Sequence, residues 1–200
     1  MTGRYIALEG GDACGKSTQA TRLVRSLGAV ATREPGGTRI GAAIRAIVLD
    51  PENAELVDRA EALLYAADRA QHAAEVLRPA LAADRHVVSD RSAWSSIVYQ
   101  GYGREMGVDD VRRLSEWAVE GCWPDLVVLL DVDPATAAQR RSGDRDRLER
   151  VDSAFSERVR AGYLDLAAAD PERWVVVDAS ADEDSVAAAI RTAIADRLGL

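Results

Sequence analysis

Near its N-terminus the chain carries Gly10-Gly11-Asp12-Ala13-Cys14-Gly15-Lys16-Ser17-Thr18, a run that fits the spacing G-x-x-x-x-G-K-[ST] of a phosphate-binding loop. Residues 4–9 before the run predict a short strand, and residues 17–27 after it predict an amphipathic helix. The motif needs this order, because backbone N–H groups and a helix N-terminus then face a bound anion. We therefore predict that all nine residues of the run bind a nucleotide.

Two side chains of this loop have a predicted chemical role. Lys16 is the only lysine of the chain, since every other member of its 25 basic residues is arginine. A lysine ammonium is a compact point charge that suits the β- and γ-phosphates of a nucleotide, where a fork-shaped guanidinium fits badly. The Ser17 hydroxyl suits Mg²⁺. The alternative, an accidental glycine-rich turn, is disfavoured by the flanking strand and helix.

Further strand and helix patterns alternate along the chain. Strands are predicted at 29–32, 86–89, 126–130 and 174–177. Helices are predicted over 40–48, 58–83 with a kink at Pro79, 109–120, from 133, from 153, and after a capping box of Ser180 and Glu183. Together with the first strand this predicts an α/β fold in three layers, with a five-stranded parallel sheet covered by helices on both faces and a short lid.

Polar residues follow the ends of several predicted strands. The carboxyl ends of parallel strands share one edge, so Glu9, Arg33, Asp90 and Asp131 are expected to lie near the loop. We predict that Asp90 holds Mg²⁺ with Ser17, and that Arg91 bridges donor and acceptor phosphates. A surface ion pair is the alternative for Asp90 and Arg91. Asp131 and Asp133 compete for the metal, although Asp133 is better explained as a helix cap.

An arginine-rich segment near residues 140–150 predicts a lid that closes over the transferred phosphoryl group. Because Ala13 leaves the phosphate loop without an arginine, we expect the missing cation to come from this segment. Arg141 and Arg145 are the preferred catalytic candidates, followed by Arg140 and Arg147. A solvated, charged helix is the alternative, which the alternating charges fit.

Composition limits the classes of partner. The net charge of −8 disfavours a general nucleic-acid or membrane-surface binder. The longest apolar runs, such as 126–130, are too short to cross a bilayer, and the N-terminus lacks a signal-peptide pattern. Cys14 and Cys122 form no disulfide or metal framework. We predict a cytoplasmic protein with small-molecule substrates and with neither nucleic-acid nor membrane partners.

From end to end, the sequence resembles bacterial thymidylate kinases (dTMP kinases), a family of P-loop nucleoside monophosphate kinases. Five segments carry the resemblance: Glu9-Gly10-Gly11-Asp12 with the phosphate loop, 33–38, 63–72, 90–104 and 124–132. The resemblance implies one kinase domain over residues 1–200 with a mobile lid near 140–150. It implies transfer of the γ-phosphoryl group of MgATP to dTMP, giving dTDP and ADP. It also implies a homodimer that packs through helices on one face of the sheet.

Matched position by position, the resemblance implies a set of acceptor-binding residues. At the phosphate, Arg45 and Arg91 are expected to bind. At the sugar, Asp12 is expected to contact the 3′-hydroxyl of the deoxyribose and Tyr99 to pack against the ring. Around the base, Tyr65 is expected to stack on thymine, Arg69 to bind a base carbonyl and Ser96 to reach the base edge, with Gln100 in the same site. Lys16, Arg91, Asp12 and the lid arginines are the expected catalytic residues. Two positions depart from the family pattern: Ser92 replaces an aromatic residue or histidine, and the bulky Trp94 lies beside the substrate motif.

Other functions are weighed against this one. A kinase for another nucleoside monophosphate or a deoxynucleoside would use the same loop with a different base pocket, and a non-catalytic ATP-binding module is a further alternative. A GTPase is excluded, because its Asn-Lys-x-Asp motif cannot be formed in a chain whose only asparagine is Asn53 and whose only lysine is Lys16.

Overall fold

Five parallel strands form one sheet in a computed structural model that describes residues 3–140, 146–148 and 150–200. The strands are β1 (Tyr5–Glu9), β2 (Val30–Arg33), β3 (Val87–Asp90), β4 (Leu126–Asp131) and β5 (Trp174–Asp178). Their order across the sheet is β2-β3-β1-β4-β5, so the loop-bearing strand β1 lies at the centre. The predicted parallel α/β sheet is confirmed.

Helices connect the strands. They are α1 (Lys16–Leu27), α2 (Arg39–Leu49), α3 (Asp58–His72), α4 (Arg78–Ala82), α5 (Ala93–Ser96), α6 (Val108–Val119), α7 (Pro134–Arg140), α8 (Ser153–Ala169) and α9 (Glu183–Leu198), with π-helical turns at Ala73–Leu77 and Ile97–Gly103. Within the described ranges, no helix has the length and apolarity needed to cross a membrane.

Alternate side chains of the central strands pack on opposite faces of the sheet. Ile6 and Leu8 of β1 join one buried cluster with residues of α1 and α9. Tyr5 and Ala7 face the other side, where the first π-helical turn and α4 cover them. Neighbouring residues of β4 pack there against α5, α6 and α8. Strands that are apolar on both faces are what a sheet between two helical layers requires.

Two local predictions differ from the structure, which also shows where the bulky Trp94 lies. The long helix predicted over 58–83 is interrupted by the π-helical turn at Ala73–Leu77, upstream of the predicted kink at Pro79. Pro79 itself lies in the first turn of α4, where its missing N–H is tolerated. The final helix is capped by Asp182, whose carboxylate accepts bonds from the N–H groups of Asp184 and Ser185, so the predicted capping box of Ser180 and Glu183 is wrong. Trp94 packs against Trp123 and Trp174 in the core rather than in a substrate pocket.

The sheet brings the predicted polar residues to one edge. Leu8 of β1 is in register with Asp90 of β3, and Arg33 of β2 pairs with the same residue. Glu9 ends β1 immediately before the phosphate loop. Asp131 ends β4, where its carboxylate accepts two bonds from Arg160, both at 2.8 Å. This edge therefore carries the candidate site.

Candidate active site

The phosphate loop depends on two glycines with positive φ. Gly10 has φ 140°, and a Cβ built there would lie 2.5 Å from the carbonyl oxygen of Leu130, so the loop passes directly against β4. Gly15 has φ 93° and precedes the first turn of α1. Side chains at these positions would be strained, which explains the glycine spacing. The helix thus begins at Lys16 with its free N–H groups directed towards the loop.

Lys16 is folded into the loop that it follows. Its Nζ donates to the carbonyl oxygens of Gly11 at 2.6 Å and Gly10 at 3.2 Å, and lies 3.5 Å from Sγ of Cys14. The ammonium is largely buried, and the loop carbonyls provide its partners. The loop therefore already holds a cation where a nucleotide's phosphates are expected.

Ser17 and Asp90 meet at the mouth of the loop. The Ser17 hydroxyl donates to Oδ2 of Asp90 at 2.6 Å, joining the first turn of α1 to the end of β3. Oxygen ligands of this kind suit Mg²⁺, which keeps several waters and needs only one or two protein ligands beside substrate phosphates. The described ranges contain no group of three or more His, Cys, Asp or Glu side chains arranged to hold a metal. A metal held by Ser17 and Asp90 does not require one.

A cleft beside the loop is lined by every residue predicted to bind the acceptor. It is open to solvent on one side and encloses about 570 Å³ of empty space. The predicted residues that line it are Asp12, Arg45, Tyr65, Arg69, Arg91, Ser96, Tyr99 and Gln100. Further lining residues include Glu34, Ser95, Asp146 and Leu148. Residues as far apart in the sequence as Asp12 and Leu148 thus form one concave surface next to the phosphate loop.

Arg91 connects the loop to the cleft. Its Nη2 donates to Oδ1 of Asp12 at 2.5 Å and to the Tyr99 hydroxyl at 3.0 Å, while Nη1 donates to the Gly10 carbonyl at 3.0 Å. Burial opposes its charge, but Tyr99, Asp12 and other neighbours keep the pKa of Arg91 above its usual value. Its φ of 71° is rare for a non-glycine residue. The backbone here turns sharply at the end of β3 to direct the guanidinium into the cleft.

Glu9 is connected to this arginine through Ser95 and Tyr163, which hydrogen-bond to both residues. It was not predicted as a site residue. Its buried carboxylate accepts bonds from the hydroxyl groups of Ser92, Ser95 and Tyr163 and from the N–H of Ser92. Burial raises the pKa of Glu9, although Arg91 and the hydrogen bonds lower it in part. Ser92, which departs from the family pattern, is therefore a partner of Glu9 and begins α5.

The far end of the cleft is built on a buried ion pair. Nε of Arg69 donates to Oε2 of Glu34 at 3.0 Å, and Oε1 of Glu34 lies 2.8 Å from Nδ1 of His72. Nη2 of Arg69 donates to the Ser96 hydroxyl at 3.1 Å. Burial would raise the pKa of Glu34, but Arg69 and His72 outweigh it and lower that pKa. The guanidinium of Arg69 is thereby fixed beside Ser96 in the cleft wall.

Two of the four candidate lid arginines can be located. Arg140 donates to the carbonyl oxygens of Ala179 and Ser180 at 2.6 and 2.8 Å. Arg147 is largely buried, and its guanidinium binds Glu61 and the carbonyl oxygen of Val48, the latter at 2.9 Å. Arg141 and Arg145 lie outside the described residues.

The five strands form a parallel sheet, a phosphate loop follows the central strand, and an arginine-lined cleft lies at the same edge. Together these features define a P-loop kinase acting on a small phosphorylated acceptor.

The family model for thymidylate kinase matches residues 8–190. A thymidylate kinase of Leifsonia xyli subsp. xyli is 52% identical over 204 residues, covering 98% of this chain and 96% of that protein. One of Clavibacter michiganensis subsp. michiganensis is 50% identical over 200 residues, covering 96% and 94%.

Solved structures agree with the sequence comparison. The crystal structure of thymidylate kinase from Ehrlichia chaffeensis superposes with a TM-score of 0.82 at 26% identity, covering 97% of this chain and all of that one. The chain belongs to the thymidylate kinase family.

Proposed function

We propose that this protein transfers the γ-phosphoryl group of ATP to dTMP, giving dTDP and ADP. The observation that carries the proposal is the cleft beside the phosphate loop, lined by all eight residues expected to bind the acceptor. The relatives named above are all called thymidylate kinases, which favours dTMP over the other acceptors considered from the sequence.

The cleft suggests how dTMP is held. Arg45 and Arg91 bind its phosphate, with guanidinium groups suited to bidentate contacts. Asp12 and Tyr99 contact the sugar, and the Tyr99 hydroxyl donates a hydrogen bond to Oδ2 of Asp12 at 3.4 Å. Tyr65, Arg69, Ser96 and Gln100 bind the base at the opposite end. The acceptor phosphate is already anionic, so the reaction depends on positioning and charge neutralisation rather than on a general base.

The donor nucleotide occupies the loop. Lys16 exchanges its bonds to the carbonyls of Gly10 and Gly11 for the β- and γ-phosphates. A second depression is lined by loop residues, by Arg140, and by Ala179, Ala181, Asp182 and Glu183. We place the adenine ring there, with Arg140 held by backbone carbonyls at its edge. Arg141 and Arg145 remain the proposed catalytic cations of the lid.

Ser17 and Asp90 are the residues that would hold Mg²⁺. Their hydroxyl and carboxylate oxygens lie together at the mouth of the loop, within reach of phosphates seated on the N-terminus of α1. When bound, the metal supplies positive charge to the phosphate oxygens.

We also propose a homodimer formed through α2, α3 and α6. These helices pack side by side, with α3 between the other two. Trp117 of α6, Leu63 of α3 and Ile47 of α2 are exposed apolar side chains, and Trp117 is 78% exposed. An exposed apolar surface on adjacent helices is typical of a protein interface. The single domain with a lid near 140–150 and the cytoplasmic location remain predictions.

An assay of ADP formation tests the proposed function. Purified protein with MgATP receives dTMP, dUMP, dCMP, the ribonucleotide of thymine, or thymidine, and a Lys16→Met preparation controls for contaminating kinases. We expect dTMP to give the highest kcat/KM. ADP formation with dTMP no faster than without an acceptor would refute the proposal.

A further inference from the structure

A buried carboxylate behind the cleft, Glu61 of α3, accepts hydrogen bonds from three side chains. Its Oε1 accepts from Nε2 of Gln100 at 2.8 Å, and its Oε2 accepts from Nη2 of Arg104 at 3.1 Å and from Nη2 of Arg147. The Glu61 side chain is fully buried. Neither the sequence motifs nor the proposed chemistry gives this residue a role.

Glu61 fixes which end of the Gln100 amide faces the cleft. A carboxylate can only accept, so the NH₂ group of Gln100 must point to Glu61. The carbonyl oxygen, Oε1, is then turned the other way; it is buried and has no hydrogen-bond partner among the described residues. Gln100 lines the same cleft as Tyr65, Arg69 and Ser96, the proposed base-binding residues. A buried acceptor without a partner is costly unless a ligand satisfies it.

We propose that Glu61 is a positioning residue for base selection, which holds Gln100 so that its Oε1 accepts the N3–H of thymine. This inference rests on the proposed function. The N3 position of thymine is a donor, whereas N3 of cytosine is an acceptor. Gln100 in this orientation therefore favours thymine and opposes cytosine, because two acceptors would face each other in the second case.

The carboxylate is required because the three side chains that hydrogen-bond to Glu61 all donate to it. A glutamine at this position would have one oxygen and one NH₂ group to present. The guanidinium groups of Arg104 and Arg147 can only donate, so the oxygen would turn to them and the NH₂ group to Gln100. Gln100 would then rotate its amide and present NH₂ to the base. Glu61→Gln thus inverts the hydrogen-bonding character of the cleft with almost no change in shape.

Glu61 also has a structural role that an experiment must separate from this one. Arg147 holds residues 146–148 against the end of α2, since its Nε donates to the Val48 carbonyl and its backbone N–H donates to that of Leu49 at 3.1 Å. Loosening this contact would affect every acceptor nucleotide alike. The ratio of activities towards two bases is therefore the informative measurement.

The test compares kcat/KM for dTMP and dCMP, with MgATP, in wild-type protein and Glu61→Gln. We expect the dTMP-to-dCMP ratio to fall at least about tenfold in the variant, the effect of one misdirected hydrogen bond. Asp58→Asn is the matched control, because Asp58 is half exposed and also pairs with Arg104, at 3.4 Å, but contacts neither Gln100 nor Arg147. It should keep the wild-type ratio. In a Gln100→Leu background, Glu61→Gln should leave the ratio unchanged.

The outcomes are distinguishable. If wild-type protein does not phosphorylate dTMP, the proposed function fails. If it does, and Glu61→Gln lowers kcat/KM for both nucleotides by the same factor, Glu61 has a structural role only and the inference is overturned. If the variant does not fold, a crystal structure of wild-type protein with dTMP decides: Gln100 bridging Glu61 and N3 supports the inference, and Gln100 withdrawn from Glu61 overturns it.

Discussion

The phosphate loop and the acceptor cleft meet at Asp12 but are built in opposite ways. The loop is one contiguous run whose binding groups are backbone N–H groups and a single ammonium, already seated among the loop carbonyls. The cleft is assembled from side chains of several elements, fixed by buried carboxylates such as Glu9, Glu34 and Glu61. Each of these carboxylates accepts bonds from groups on a different element.

This difference separates generic from specific recognition. Backbone groups bind any phosphate of the right geometry, so the loop recognises triphosphates without reading the base. Side chains fixed by buried partners present donors and acceptors in a set pattern, so the cleft can distinguish nucleotides. We expect substitutions in the loop to reduce catalysis with every acceptor, and substitutions in the cleft to change which acceptor is used.

The largest effect is expected at the loop, from Lys16→Met. Removal of the only cation within the loop should lower kcat about a thousandfold, at the upper range for a single electrostatic contact to the transition state. Affinity for dTMP, measured by calorimetry without ATP, should change little, since Lys16 does not line the acceptor cleft. Arg22→Gln is the matched control: it removes an exposed cation from the same helix, paired with Asp184 at 2.6 Å. A comparable loss of kcat in that control would contradict the role of Lys16.

Arg91→Met removes the group shared by both regions. We expect kcat/KM for dTMP to fall about a hundredfold, because the guanidinium is the proposed ligand of the acceptor phosphate and also holds Asp12 and Tyr99. Unlike Lys16→Met, this variant should also lose affinity for dTMP in the absence of ATP. Unchanged dTMP affinity would place Arg91 on the donor side and remove it as the link between the two regions.

Tyr99→Ala is expected to change selectivity rather than catalysis alone. The ring stands in the cleft wall, packed edge-on against Phe155 and Tyr163, and its hydroxyl contacts Asp12 and Arg91. With the sugar bound against Tyr99 as proposed, removing the ring opens space beside C2′, so the preference for dTMP over the ribonucleotide should fall about tenfold. Tyr99→Phe keeps the ring and should retain most of that preference. An equal preference in Ala and wild-type proteins would rule out Tyr99 as the residue that excludes a 2′-hydroxyl.

The contrast between the phosphate loop and the cleft also describes how much of the site the sequence could predict. The loop, the five strands and the strand-end residues follow from local patterns, because a contiguous motif and an apolar strand each carry their own signal. Most members of the cleft came only from family resemblance, since residues such as Tyr65 and Gln100 have no local pattern that marks a site, whereas Arg91 was predicted from its position after a strand. The buried supports were missed: Glu61 and Tyr163 lie on helices, where a lone glutamate or tyrosine in the sequence does not reveal what it contacts. Their partners are set by tertiary packing, which a single sequence does not display.

The smallest predicted effect concerns two buried carboxylates of the cleft, Glu34 and Glu9, whose pKa values are shifted in opposite directions. The folded-state pKa of Glu34 is lowered by Arg69 and His72 against burial, so its ionisation stabilises the fold at pH values above the unfolded pKa of about 4.3. That contribution is lost as the pH falls through the lower, folded pKa. Denaturant unfolding should therefore show the advantage of wild-type protein over Glu34→Gln shrinking as the pH is reduced below about 4.

For Glu9→Gln, the stability difference from wild-type protein should depend on pH in the opposite direction. Burial raises the folded-state pKa of Glu9, so wild-type protein should gain on Glu9→Gln as the pH falls and lose that gain as the pH rises through the folded pKa. The differences in free energy of unfolding for the two variants should thus change in opposite directions over the acid range. Parallel pH dependences would show that the two carboxylates have similar environments, contrary to surroundings that disfavour the charged form of Glu9 and favour that of Glu34.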